Sequence, residues 1–180
     1  MRIPKEATPL VFGLIGESPR SKNVIYFMIE VNNLTGVSIN RKYLIRITKK
    51  VLRGEKIENK VELSIALVGP GKIREINRNY RGRNKATDVL SFSDKEVLKK
   101  KFKPNFLKKV KNLGEIVICP HKVKENARKF GSNFKTELAQ VLIHGILHLL
   151  GYEDEKSAAK VRKMEEKQQY YLSKILKIKP

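Results

Sequence analysis

The sequence predicts one α+β domain, a small mixed β-sheet of about four strands packed with five or so helices. Three observations carry this. Short runs rich in Val, Ile and Phe alternate with segments whose apolar residues recur at helical spacing. One segment, Leu138 to Leu150, is apolar nearly all round and reads as a buried helix. The length of 180 residues suits one hydrophobic core and falls short of what two domains usually need.

In chain order, residues 1 to about 23 are irregular, broken by Pro4, Pro9, Gly13, Gly16 and Pro19. Val24 to Val31 reads as the first strand. A helix is predicted from about Ile39 to Leu52, with Tyr43, Leu44, Ile47 and Val51 on one face. Val61 to Val68 is the second strand. Pro70 opens a short helix that carries Ile73 and Ile76 and ends near Tyr80, Arg81 and Gly82. A polar loop leads into Thr87 to Phe92, the third strand. Residues 94 to 111 hold eight lysines against the acids Asp94 and Glu96, the composition of a charged surface insertion, with Pro104 interrupting any helix there. Leu113 to Cys119 is the fourth strand, stopped by Pro120. Helices are predicted over Lys122 to Phe130 and Asn133 to Leu150, with Gly131 capping the first. A last helix runs from about Ser157 to Leu176. No repeat and no domain linker is visible.

Lys and Arg number 39 against 18 Asp and Glu, a formal net charge of +21. Such an excess works against a compact state unless a polyanion is near, and nucleic acid fits best, because phosphates neutralised by Lys and Arg release counterions. A generally lysine-rich proteome is the bland alternative. A lone cysteine, Cys119, excludes an intramolecular disulfide and suits a reducing compartment; in its apolar run it reads as a buried structural thiol. No apolar stretch approaches the length of a membrane span, and Leu10 to Ile15 is too short for a signal-peptide core. These features lead to the expectation of a cytoplasmic protein.

The chemistry concentrates in the buried helix. His144 and His148 stand four residues apart, so their imidazoles share one face, one turn apart. Two imidazoles in an apolar helix need hydrogen-bond partners or a metal, and alone the pair fits either. Gly151 then lets the chain turn back and deliver Glu153, Asp154 and Glu155. A third, acidic ligand there would leave a catalytic site with one open coordination position. The same acids also suit the N-terminus of the last helix, where negative charge is favoured.

At these residues the chain resembles the YbeY endoribonucleases. The family pattern His-Gly-x-Leu-His-Leu-x-Gly-Tyr-Asp-His is similar to His144-Gly-Ile-Leu-His148-Leu-Leu-Gly-Tyr-Glu153-Asp154. A second block is Asn77-Arg-Asn-Tyr-Arg81-Gly followed by Thr87-Asp-Val-Leu-Ser-Phe92, and a third is Leu113-Gly-Glu-Ile-Val-Ile-Cys119. The resemblance runs from about Met28 to the last helix and implies a zincin-like fold over residues 28–180. It implies a zinc-dependent, single-strand-specific endoribonuclease acting in ribosomal RNA processing, including the small-subunit 3′ end, and in ribosome biogenesis, with ribosomal RNA and the small ribosomal subunit as partners.

Carried over residue by residue, the resemblance makes His144, His148 and Asp154 the metal ligands and Arg81 the catalytic arginine. Asp154 stands where the family has histidine, and Glu153 where it has aspartate; Glu153 or Glu155 can also serve, but Asp154 holds the matching register. An aspartate ligand lowers the effective charge of the ion, so harder ions such as Mn²⁺ are expected to be tolerated better. Asp88 and Glu115 are candidates for orienting a ligating imidazole, although Asp88 equally suits a loop cap. Arg83, Lys85, Lys99, Lys100 and Lys101 are candidate RNA contacts, with a solvated charged face as the alternative. His121 reads as a surface residue. Residues 1–27 have no family counterpart, and the expectation is an N-terminal extension, with Met28 as a possible start.

Two other classes are weighed against this. A zinc peptidase of this helix type uses His-Glu-x-x-His, whose Glu is the general base, and Gly145 occupies that position here. A non-catalytic, RNA-binding ribosome-assembly factor would hold a structural metal, which usually takes four protein ligands rather than three.

Overall fold

Alternation along Lys60–Leu67 sets the architecture: Val61, Leu63, Ile65 and Leu67 are buried, while the residues between them are less so. The computed structural model describes residues 26–57, 60–94, 110–154 and 157–177. Most of the lysine-rich stretch, with Lys99, Lys100 and Lys101, lies outside the described residues, as do Glu155 and residues 1–25. In order, the elements are β1 (Phe27–Asn33), α1 (Arg41–Gly54), β2 (Lys60–Leu67), α2 (Pro70–Arg81) and β3 (Val89–Ser93). There follow β4 (Val110–Ile118), α3 (Pro120–Lys129), α4 (Phe134–Leu149) and α5 (Ala158–Leu176).

The four strands form one sheet in the order β1-β2-β4-β3, with β1, β2 and β4 parallel and β3 antiparallel to β4. On one face Val61, Leu63, Ile65, Ile116 and Ile118 pack with Leu44, Ile47 and Val51 of α1, Leu142, Ile143 and Ile146 of α4, and Met164 and Tyr171 of α5. On the other face Leu90, Phe92 and Val117 pack with Val68, Ile73 and Cys119 in a smaller core under α2. The result is a layered α+β domain, with four strands and five helices among the described residues, as the composition of the elements predicts.

Element ends differ from expectation where side chains take over backbone bonds. The third strand begins at Val89 rather than Thr87, because the Asp88 carboxylate accepts from the Val89 N–H at 2.9 Å. Asn40 and Asn133 cap α1 and α4 by accepting from the N–H groups of Tyr43 and Thr136, at 3.1 and 2.8 Å. The ladder of β4 extends back to Val110, three residues before the expected Leu113, because a bulge absorbs one residue between the partners of Glu62 and Leu63. Gly114 sits at that bulge with φ +124°, and a Cβ there would lie 2.0 Å from the Phe92 carbonyl oxygen. Only glycine lets β3 and β4 come together at this point.

Candidate metal centre

The C-terminal half of α4 is held down on both sides. Gly145, between the two histidines, brings the helix backbone onto the sheet: a Cβ there would sit 3.1 Å from Ile116 Cγ2. That contact leaves no room for the glutamate of a peptidase helix without displacing a buried side chain. On an adjoining face of the helix His144 and His148 stand at the wall of a cleft of about 720 Å³. Gly151 then turns the chain with φ +93°, its N–H donating to the His148 carbonyl oxygen at 2.9 Å, and Asp154 comes back over the histidines.

The three donor atoms converge. His144 Nε2 and His148 Nε2 are 3.1 Å apart, and Asp154 Oδ2 lies 3.6 and 3.5 Å from them. Ligands bound at ordinary zinc distances and tetrahedral angles lie about 3.3 Å from one another. The spacing therefore fits a single ion, and it is the one such grouping of His, Cys, Asp and Glu found among the described residues. The side chains of His144, His148 and Asp154 are 31%, 28% and 37% exposed, so one side of the site faces solvent, where an ion held by three protein ligands could also take water or substrate.

The other ring nitrogens fix which atoms face inward. His148 Nδ1 lies 3.0 Å from the Tyr152 carbonyl oxygen, which can only accept, so Nδ1 carries the proton. His144 Nδ1 is 3.0 Å from Gln168 Oε1 of α5, which likewise accepts a hydrogen bond from the protonated Nδ1. Both Nε2 lone pairs are then turned towards each other and towards Asp154, an arrangement that a shared cation relieves. Burial, followed by the neighbouring His148, holds the His144 pKa below its ordinary 6.5, against the opposing pull of Gln168 and Asp154, so the neutral, ligating form prevails at neutral pH.

A second layer of bonds fixes the turn. The Glu55 carboxylate, just past α1, accepts from Tyr152 Oη at 2.7 Å, Tyr171 Oη at 2.6 Å and Lys167 Nζ at 2.8 Å. Burial by itself would raise the Glu55 pKa; the three donors outweigh it and hold the carboxyl below its ordinary 4.5. Tyr152 is thereby clamped at its hydroxyl by α1 while its carbonyl holds His148.

The acids that follow Gly151 divide their work. Glu153 pairs with Lys160 at 2.6 Å, whereas Asp154 faces the histidines. The cap of α5 is Ser157, whose Oγ accepts from the Lys160 N–H at 3.4 Å. Asp88 serves the loop cap: its carboxylate accepts from Val89 N, Thr87 Oγ1 and Asn126 Nδ2. Its negative charge reaches His144, but no bond between them is described. Glu115 lies on β4 and lines a different groove beside β1. The imidazole-orienting bonds expected of Asp88 and Glu115 thus come from Gln168 and the Tyr152 carbonyl instead.

Arg81, Arg83 and Lys85 line the same cleft as the histidines. Arg81 is the last residue of α2; its Nη2 donates to the Ser91 carbonyl oxygen at 3.0 Å, and its guanidinium lies 5.6 Å from the centre of the Phe92 ring. Buried Asn77 pins the intervening loop by donating to the Lys85 carbonyl oxygen at 2.8 Å. His121 is exposed and stands apart from the site.

A family model described as Endoribonuclease YbeY matches residues 30–176. The chain belongs to the YbeY family. An Endoribonuclease YbeY from Aquifex aeolicus is 34% identical over 148 residues, which cover 76% of this chain and 93% of the relative. Another from Persephonella marina is 39% identical over 127 residues, covering 71% and 78% of the two chains. A Thermotoga maritima protein solved in solution shares the fold with a TM-score of 0.53 and 33% identity, over 82% of this chain and 89% of that one. The α+β architecture expected from the sequence, a four-stranded mixed sheet with five helices among the described residues, is therefore shared with a solved neighbour, and the family is metal-dependent.

Proposed function

We propose that this protein is a zinc-dependent endoribonuclease that cuts single-stranded RNA, with ribosomal RNA at the small-subunit 3′ end as substrate and ribosome biogenesis in the cytoplasm as its setting. The observation that carries the reading is the convergence of His144, His148 and Asp154 in a cleft that Arg81 also lines. Family membership supports the ribonuclease activity. Two imidazoles with one carboxylate form a donor set of the kind used by catalytic zinc, and zinc is our assignment for the ion.

When bound, a divalent ion at this site supplies a Lewis acid and lowers the pKa of water towards neutrality. The protein's own groups do the remainder. Gln168 and the Tyr152 carbonyl hold the Nδ1 protons, so both Nε2 lone pairs stay aimed into the cleft. Arg81, steadied by Ser91 and Phe92, offers its guanidinium to the non-bridging oxygens of a phosphodiester, whose negative charge grows as the phosphorus is attacked. Arg83 and Lys85 follow along the cleft wall, where they bind the phosphates flanking the scissile bond.

The test is metal analysis together with an assay on structured RNA that contains single-stranded segments. His144→Ala is expected to lose the ion and the activity together. Arg81→Ala is expected to keep the ion and lose about 10²–10³ in kcat, the usual effect of removing one transition-state donor. Cutting at full rate in both variants would overturn the assignment.

A further inference from the structure

Away from the cleft, α1 has an unusual distribution of charge. It carries Arg41, Lys42, Arg46, Lys49, Lys50 and Arg53 and no acid, whereas each of the other four described helices contains at least one Glu. Its apolar face, with Leu44, Ile47, Val51 and Leu52, is buried, so the cations are sorted onto the outer face. There Lys42, Arg46, Lys49, Lys50 and Arg53 line a shallow groove of about 460 Å³ whose remaining wall is Ile45. Among the described residues none of these five cations forms an ion pair with a carboxylate. Like charges gathered in one groove without a counter-charge raise the local potential and concentrate anions there.

We propose that this groove is a second RNA-binding surface, a track for the sugar–phosphate backbone of the strand being cut in the cleft. The proposal rests on the ribonuclease reading and adds to it a surface remote from the chemistry. Its direction follows from two bonds. At one end of α1, Tyr43 Oη donates to the Lys135 carbonyl oxygen at 3.3 Å, near the start of α4. Just past the other end, Glu55 accepts from Tyr152, a wall of the cleft. The helix therefore runs alongside α4 towards the metal centre, and Arg53 marks the end of the groove nearer the cleft. From Arg53 back to Lys42 the track extends about 16 Å at helical rise. With no aromatic side chain among its lining residues, the groove offers charge and not base stacking, so it grips phosphates without regard to sequence.

The experiment compares the metal-loaded wild type with the triple variant Arg46→Gln, Lys49→Gln, Arg53→Gln, which keeps the buried face of α1 intact. Cleavage of a long unstructured RNA and of a short oligonucleotide that fills only the cleft is followed across a salt series. The expected result is a KM for the long RNA raised on the order of tenfold with kcat unchanged, and a log–log salt dependence shallower by about 2, from roughly 0.7 per lost phosphate contact. The short oligonucleotide is expected to be cut as by wild type. A control triple, Lys124→Gln, Arg128→Gln, Lys129→Gln on α3, removes the same charge and is expected to leave KM for both RNAs unchanged. An unchanged KM and salt slope in the α1 variant overturns the track, and so does an equal effect in the control or on the short RNA; an acidic protein would then be the better occupant. A wild type that cuts neither RNA overturns the ribonuclease reading itself.

Discussion

Glu55→Ala is expected to loosen the metal centre without touching it. The Glu55 side chain is 12% exposed and receives hydrogen bonds from Lys167, Tyr171 and Tyr152. The Lys167 bond is partly screened by water, because that side chain is 37% exposed, and contributes well under about 1 kcal/mol. The two phenol bonds to a carboxylate are worth more, and the buried Tyr171 hydroxyl is left without an acceptor; about 3 kcal/mol in total is the expected loss. For a chain of this length that lowers Tm by roughly 6–12 °C. The same change frees the Tyr152 hydroxyl, so the carbonyl that orients His148 is less well fixed, and affinity for a divalent ion should fall by about 10- to 100-fold. Thermal unfolding of the apo-protein and zinc titration against a competing chelator measure the two effects separately. The stability difference has a defined pH dependence. Because the folded carboxyl titrates below its ordinary 4.5, its contribution is full above that value and is lost as pH falls through the folded pKa. The gap between wild type and variant should therefore close in acid. A gap that is constant from neutral pH into acid, or an undiminished zinc affinity, would refute this account of the network.

Three further outcomes are expected. Gly114→Ala places a Cβ against the Phe92 carbonyl in a left-handed backbone, so it should cost on the order of 3 kcal/mol or more and detach β3 from β4, measurable as a lower urea midpoint. Gly145→Glu should yield no peptidase, because already its Cβ crowds Ile116 and Val89, and it should destabilise the fold by about 3 kcal/mol; a casein assay and calorimetry check the two halves. Asp154→His replaces a carboxylate with a softer donor and should raise the preference for Zn²⁺ over Mn²⁺ in competitive metal titration, while an unchanged ratio would count against Asp154 as a ligand.

The parts of the site that could be read from the sequence are those encoded by local spacing. The four-residue step from His144 to His148 places both rings on one helical face, and Gly151 announces a turn that can return an acid to them. Which of the acids returns could not be settled locally, because it depends on Lys160 drawing Glu153 away and on Ser157 capping α5. Gln168 was missed: it comes 24 residues after His144, and only the packing of α5 on α4 brings its amide to the ring. The Tyr152 carbonyl was missed for another reason, since a main-chain acceptor leaves no trace in residue type. Asp88 was suggestive because a carboxylate beside a candidate site can orient an imidazole, yet its neighbours Thr87 and Val89 offered nearer donors. The strand and helix centres followed from periodicity, whereas the early start of β4 required the bulge at Gly114, a property of the paired strands rather than of either one.

The bond between His144 and Gln168 has a consequence for assembly. A chain cut before α5 would still possess both histidines and the aspartate, yet the His144 ring would lose its Gln168 partner, and Glu55, which holds the turn through Tyr152, would lose its bonds from Tyr171 and Lys167. The metal centre is thus complete only with its most C-terminal described helix docked on α4, and a chain that lacks that helix should hold an ion less firmly.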